Sequence, residues 1–284
     1  MTRLLALDLD GTLLDSHGQI PERNCAAIVR AVKAGVEVAI ATGRRYDFAL
    51  PIVGQLPVPL TLILSNGAIV KDRGGLTLMR RLLPAAAARD VLARTRAHRA
   101  SAALIFDRPR EGQVVFETID WEHPRHRRFF ETNRPFVSEM APLETALVED
   151  PVQVMFTGTC ETMRILYDGL RAEGRHGQAY SVALTEYQHR DFSLVDIVQA
   201  GCSKGTALRA WSERQGLTPG EVMAIGDNLN DVEMLEFAGR AVVMGNGVAD
   251  LKTRGWAVTG SNDEAGVGTA IETFVLGEAS YKDV

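Results

Sequence analysis

Apolar residues come in short runs, and each run is closed by small or polar residues. Leu4-Leu5-Ala6-Leu7 leads into Asp8-Leu9-Asp10-Gly11-Thr12-Leu13. Val36 to Ala41 leads into Thr42-Gly43-Arg44, and Leu60 to Leu64 into Ser65-Asn66-Gly67. Brief, nearly uninterrupted apolar runs read as strands buried on both faces, as in a parallel sheet. Between the first two runs, Pro21 opens a helix that Gly35 closes, with Ile28, Val29 and Val32 on its apolar face. A second helical stretch runs from Tyr46 to about Leu56. Strands alternating with helices predict βαβ units and a parallel sheet whose polar strand ends converge on one edge.

From residue 68 the pattern changes. Ala68-Ile69-Val70 and Leu76 to Met79 flank a Gly-Gly turn and predict a hairpin. A helix is expected from Pro84 to about Arg99, then short strands near Ala102 to Phe106 and Val114 to Glu117. A polar, basic stretch follows from Glu122 to Arg128, whose His123 and His126 read as a solvated face. A strand from Val152, a helix over Glu161 to Glu173 and strands at Tyr180 to Leu184 and Phe192 to Val198 complete an α+β unit. That unit is long enough for a core of its own. The βαβ pattern then resumes with a helix from Lys204 to Gln215 and a strand Val222 to Ile225, closed by Gly226-Asp227-Asn228-Leu229-Asn230-Asp231. A strand Ala241 to Met244 and a helix Gly266 to Phe274 follow. The expected division is a core of residues 1–82 and 196–284, interrupted by a second domain at 83–195.

Composition narrows the class of function. The apolar fraction, 46%, suits a globular chain with sizeable cores, and the net charge of −5 argues against nucleic-acid or anionic-membrane partners. No apolar stretch approaches the ~20 residues that span a bilayer. Met1-Thr2-Arg3 runs straight into the first strand, so a cytoplasmic location is expected. Cys25, Cys160 and Cys202 lie far apart and read as packing residues, not as a disulfide framework or zinc site.

The strand ends carry the candidate chemistry. Asp8 and Asp10 lie two apart on a strand and share a face, where two close carboxylates repel unless a cation sits between them. Oxygen ligands without His or Cys suit Mg²⁺. Thr42, the amide beside Gly43, the Lys204 ammonium and the Asn230 amide are donors suited to a transferring phosphoryl group. An aspartate nucleophile forming an aspartyl-phosphate is an available covalent strategy. No GxGxxG or GxxxxGK[ST] fingerprint is present.

Five segments in order, Asp8 to Leu14, Ala41 to Arg44, Ser65 to Ala68, Ser203-Lys204-Gly205 and Gly226 to Asp231, resemble the haloacid dehalogenase (HAD) superfamily phosphatases. The likeness is to the Cof-type group with a class IIB cap and covers nearly the whole chain. It implies an α/β fold: a doubly wound, parallel-sheet, Rossmann-like core with an inserted α+β cap. It implies that Asp8 is the nucleophile and a Mg²⁺ ligand. Asp10 would be the general acid and base, with its main-chain carbonyl on the metal, and Asp227 would complete the protein's share of the metal shell. Thr42 and the Gly43 amide would hold phosphoryl oxygens, Lys204 would neutralise charge on phosphate and nucleophile, and Asn230 would help position the substrate. Asp231 would support the metal or Lys204, and Asn66 would face the substrate. Arg44 reads as a structural or rim charge.

The activity so implied is Mg²⁺-dependent hydrolysis of a small phosphomonoester, such as a sugar phosphate, by a monomer or homodimer. A phosphomutase on the same scaffold and a phosphorylatable signalling module are the alternatives. The cap would close over the site and select the leaving group, through loops around Asp107 to Gln113 and Glu186 to Arg190.

Overall fold

In the computed structural model, residues 1–122, 130, 131 and 133–278 are described. The basic stretch containing His123 and His126 falls largely outside them. The chain forms two compact units, Met1–Arg80 with Ser203–Val284, and Arg81–Cys202.

In chain order the first segment holds β1 (Leu4–Leu7), β2 (Glu37–Ala41), β3 (Thr61–Leu64), β4 (Ile69–Asp72) and β5 (Thr77–Arg80). The inserted unit holds β6 (Ala102–Ile105), β7 (Val114–Phe116), β8 (Val137–Glu139), β9 (Gln153–Gly158), β10 (Tyr180–Tyr187) and β11 (Phe192–Gln199). After the return come β12 (Val222–Gly226), β13 (Arg240–Val243) and β14 (Ala257–Val258).

The first unit is built on one sheet of order β14-β13-β12-β1-β2-β3-β4-β5. From β14 to β3 the strands are parallel; β4 and β5 add an antiparallel edge. Every residue of β1 is 0% exposed, as the uninterrupted Leu-Leu-Ala-Leu run requires. Leu4 pairs with Val222 on one side and Glu37 on the other. The chain steps from β1 through β2 to β3 in one direction, and β12 returns on the opposite side of β1. This puts the topological switch point at the C-terminal end of β1, where open α/β sheets bind ligands. Below it lies a core of Leu4, Ala6, Ile63, Leu208, Trp211, Ala224 and Met234 among others. The helices Glu22–Lys33 and Gly266–Phe274 pack together, and buried Asn24 joins them by accepting from the N–H of Gly268 at 2.7 Å.

The second unit is a six-stranded sheet of order β10-β11-β9-β6-β7-β8, antiparallel except for the β7–β8 pair. The helix Cys160–Ala172 packs on β9, β10 and β11 through Met163, Leu166 and Leu170. Its N-cap Thr159 accepts from the N–H of Thr162, a satisfied helix start.

Two local expectations are corrected, and one strand, β8, was not foreseen. The helix expected to Arg99 stops at Arg94, where the Thr95 hydroxyl bonds back to the Val91 carbonyl at 2.8 Å and a 3₁₀ stretch, Arg96–Ser101, takes over. Strand β8 is too short to show a pattern and is held by pairing with β7. Residue 196, expected to open the second core segment, lies inside β11. Its neighbours continue that strand to Gln199, paired with Tyr180, so the inserted unit extends to Cys202. Among the described residues no helix is long and apolar enough to cross a membrane.

Candidate active site

The site is assembled in the first unit from the ends of β1, β2, β3 and β12 and the start of the helix Lys204–Arg214. Asp8 directly follows β1, and its N–H donates to the Ile225 carbonyl at 3.0 Å, extending the sheet by one rung. The next turn depends on Gly11. Its φ is 83°, and a Cβ there would stand 2.5 Å from the Asp227 carboxylate. Thr12 then donates its hydroxyl to Asp227 Oδ1 at 2.9 Å. From the sequence Thr12 is only the start of a tight turn, yet it fixes one oxygen of that carboxylate.

Lys204 is the hub. Its ammonium is 1% exposed and donates to Asp8 Oδ1 at 2.6 Å and to Asp231 Oδ1 at 2.7 Å. The helix start that carries it is fixed by a capping box between Ser203 and Thr206. Burial works against its charge, but the carboxylates of Asp231 and Asp8 outweigh it and hold the ammonium above the ordinary lysine range. Asp231 is 0% exposed, and its second oxygen accepts from the N–H groups of Asp227 and Asn228, both at 3.0 Å. Gly226 makes room for it, since a Cβ there would lie 2.7 Å from the Asp231 side chain.

Asp8, Asp227 and Asp231 each offer an oxygen within 4.8 Å of the other two. Burial first, and then the negative charge of Asp231, push Asp8 up to about 7, with Lys204 opposing the rise. Burial, and then Asp8 and Asp231, raise Asp227 well above the carboxylate range. Ionised together, the three buried carboxylates outnumber the one ammonium, and a divalent cation would neutralise the excess. The donors are hard oxygens, as Mg²⁺ prefers. Both oxygens of Asp231 are already committed to Lys204 and to backbone N–H groups. The residues therefore fit a metal held by Asp8 and Asp227, with Asp231 behind them.

The Asp10 carboxylate is not part of that cluster. Arg44 grips it with two bonds, Nε to Oδ2 at 2.7 Å and the terminal nitrogen to Oδ1 at 2.6 Å. Arg44, expected to be a structural or rim charge, is thus a direct partner of the candidate acid/base. Thr42 is 1% exposed, and its hydroxyl oxygen accepts from the Arg44 N–H at 3.1 Å, which leaves its proton to donate. Gly43 lies against Asn66, whose side chain would be 3.4 Å from a Cβ at that position. Asn230 donates from Nδ2 to Asn66 Oδ1 at 3.0 Å. Asp8, Thr42, Gly43, Lys204, Asp227 and Asn230 thus come to one edge of the first unit, with Asp231 and Asn66 immediately behind.

A family model for haloacid dehalogenase-like hydrolases matches residues 5–271. The chain belongs to that family. This HAD-like hydrolase is 33% identical over 253 residues to an HMP-PP phosphatase of Serratia proteamaculans, covering 89% of this chain and 87% of that one. It is 29% identical to the pyridoxal phosphate phosphatase YbhA of Escherichia coli, covering 97% and 99%. A solved haloacid dehalogenase-like hydrolase from Bacteroides thetaiotaomicron superposes with a TM-score of 0.75 at 25% identity, covering 96% of this chain and 99% of that one. The chain is a Cof-type HAD phosphatase, a phosphoric monoester hydrolase by class.

Proposed function

We propose that the chain is a Mg²⁺-dependent phosphatase that hydrolyses a small phosphomonoester through an aspartyl-phosphate on Asp8. The observation that carries the reading is the buried Asp8–Lys204–Asp231 arrangement beside Asp227: a nucleophile, a fixed cation and a carboxylate set that calls for a metal. When bound by Asp8, Asp227 and the Asp10 carbonyl, Mg²⁺ would neutralise negative charge on the phosphoryl group and its attacking carboxylate.

The chain's own residues supply the remaining steps. A carboxylate oxygen of Asp8 attacks phosphorus while the bond to the leaving oxygen breaks, and Asp10, entering the step protonated with one of its two bonds to Arg44 released, gives that oxygen its proton. Water then attacks the phosphorus of the Asp8 acyl phosphate and loses its proton to Asp10, and the bond to the Asp8 oxygen breaks to release inorganic phosphate. Lys204, the Thr42 hydroxyl, the Gly43 N–H and the Asn230 amide stabilise the equatorial oxygens throughout. Residues Arg81–Cys202 serve as the cap that selects the leaving group, with Asp107 to Gln113 and the β10–β11 connection at Gln188 to Arg190 as its reading segments; Glu186, expected in that loop, lies buried in β10. A cytoplasmic enzyme acting on a small metabolite, a sugar phosphate by our reading, is the setting this implies.

The test is phosphate release from a panel of sugar phosphates, pyridoxal phosphate and pyrimidine phosphates, with Mg²⁺ or with EDTA. We expect metal-dependent turnover that Asp8→Asn abolishes. Acid-quenched mass spectra should show a phosphoryl adduct on the peptide carrying Asp8. Turnover that survives both EDTA and Asp8→Asn would refute the mechanism.

A further inference from the structure

The turn that closes β3 runs through three left-handed residues in succession. Ser65, Asn66 and Gly67 have φ of 49°, 52° and 95°. Glycine adopts this region without cost and asparagine at a small one, so Ser65 is strained and Asn66 mildly so. Strain of this kind persists where the surroundings over-determine it. Here the Ser65 N–H donates to the Arg44 carbonyl at 3.0 Å, and the Asn66 N–H to the Thr42 carbonyl at 3.1 Å. Gly67 lies so close to the Ser203 carbonyl that a Cβ would sit 2.1 Å from its oxygen. The turn is thus clamped between the Thr42-Gly43 loop and the start of the Lys204 helix.

The clamp delivers one side chain. Asn66 is 1% exposed, and its Oδ1 accepts from Asn230 Nδ2 at 3.0 Å. At the other end of the Asn230 amide, Oδ1 is buried and has no hydrogen-bond partner among the described residues. The bond to Asn66 is therefore what sets the plane of that amide. An amide nitrogen carries two hydrogens. With one given to Asn66, the direction of the second is fixed.

We propose that Asn66 is a positioning residue for phosphoryl binding: it holds the Asn230 amide so that its second N–H is offered to a phosphoryl oxygen. This rests on the reading of Asn230 as a substrate-binding residue. The strained turn is retained because an unstrained one would not carry the Asn66 amide to Asn230 and Gly43 together.

The test compares Asn66→Gly, Asn66→Ala, Asn230→Ala and the Asn66→Gly/Asn230→Ala double variant, with Mg²⁺ present. The readouts are KM on an aryl and an alkyl phosphate, Ki for inorganic phosphate, and Tm. Both Asn66 variants should raise KM and Ki together, about tenfold, on both substrates, since the phosphoryl group is common to them. Asn66→Gly removes the backbone strain and should melt about 2–4 °C above Asn66→Ala. Equal kinetic loss at unequal stability is the signature of positioning. In the Asn230→Ala background, Asn66→Gly should cost less than about twofold, because its route of action is already gone. Kinetic losses that follow Tm, or that add in full to those of Asn230→Ala, would overturn the proposal. Unchanged KM and Ki in Asn230→Ala would overturn the Asn230 assignment, and this inference with it, while Asp8-dependent hydrolysis stood. A wild-type protein without metal-dependent phosphate release would overturn the functional reading itself.

Discussion

Replacing Lys204 with methionine should be costly to stability as well as to turnover. Methionine fills nearly the same volume, so the change isolates the charge. In the native arrangement the ammonium is 1% exposed and bonded to Asp8 at 2.6 Å and Asp231 at 2.7 Å. Without it, three carboxylates within 4.8 Å of one another are left buried with no cation. Breaking a buried ion pair by removing one partner costs about 3–5 kcal/mol. At about 2–4 °C per kcal/mol for a unit of this size, Tm should fall by roughly 6–20 °C in EDTA. Adding Mg²⁺ should recover part of the loss, because a ligand that binds only the folded state stabilises it. Replacing Asp231 with asparagine in the same chain should also recover part, since one stranded charge is then removed. Turnover should drop by at least about 10²-fold, the usual cost of losing a preorganised group that stabilises the transition state. The assay is differential scanning calorimetry in both buffers beside phosphate release. A Lys204→Met protein that melts within about 2 °C of wild type in EDTA would refute the electrostatic account of this site.

Two further outcomes follow from the same geometry. Asp8 and Asp227 titrate above their unfolded values, Asp8 at about 7, so between about pH 4 and 7 the folded metal-free protein holds more protons than the unfolded chain. Its stability contribution from these groups therefore falls as pH rises through that window, and Mg²⁺ should blunt the fall; a Tm in EDTA that is flat or rising from pH 5 to 7.5 would contradict it. The lowered carboxyls Glu117 and Glu144, which pair with Arg99, give the opposite trend, but only below their ordinary value of about 4.5. Gly67→Ala should cost more than about 3 kcal/mol, since it meets both a left-handed φ and a carbonyl oxygen at 2.1 Å. Gly18→Ala, with φ of 75° and nothing within 4 Å, should cost only about 1 kcal/mol, and equal urea midpoints for the two would refute the steric account.

The parts of the site that were legible in the sequence are those fixed by strand ends. Asp8, Thr42 and Asp227 each follow an apolar run, and parallel strands must end on a common edge, so their convergence follows from pattern alone. Lys204 joins them because it opens a helix after a capping serine. What the pattern could not show is which side chain grips which. Arg44 reaches from one strand end to Asp10 on another, and nothing in local spacing distinguishes that from a charge on the rim. Asp231 follows Asp227 by four residues, a spacing that places its carboxylate under the backbone N–H groups of Asp227 and Asn228. That geometry was within reach of capping rules; its bond to Lys204 was not. Asn66 and Asn230 are 164 residues apart, and their pairing depends on the left-handed turn, which no propensity foretells for serine and asparagine in succession. The strand expected over Phe192 to Val198 runs through Asp196 and pairs on to Gln199, one residue beyond the pattern.

The position of β1 bears on how the protein is made. One of its two neighbours, β12, begins only at Val222, so it is synthesised long after β1. Until the inserted unit has been synthesised, one side of the Leu4–Leu7 backbone has no native partner, and Asp8 has neither Lys204 nor Asp227 beside it. A nascent chain stalled before residue 204 would carry an open hydrophobic edge, the kind of surface that holdase chaperones cover and that pairs with other unfinished chains. Truncations ending in the second unit should therefore be insoluble, whereas Arg81–Cys202, whose strands pair with one another, has no such dependence on the C-terminal segment.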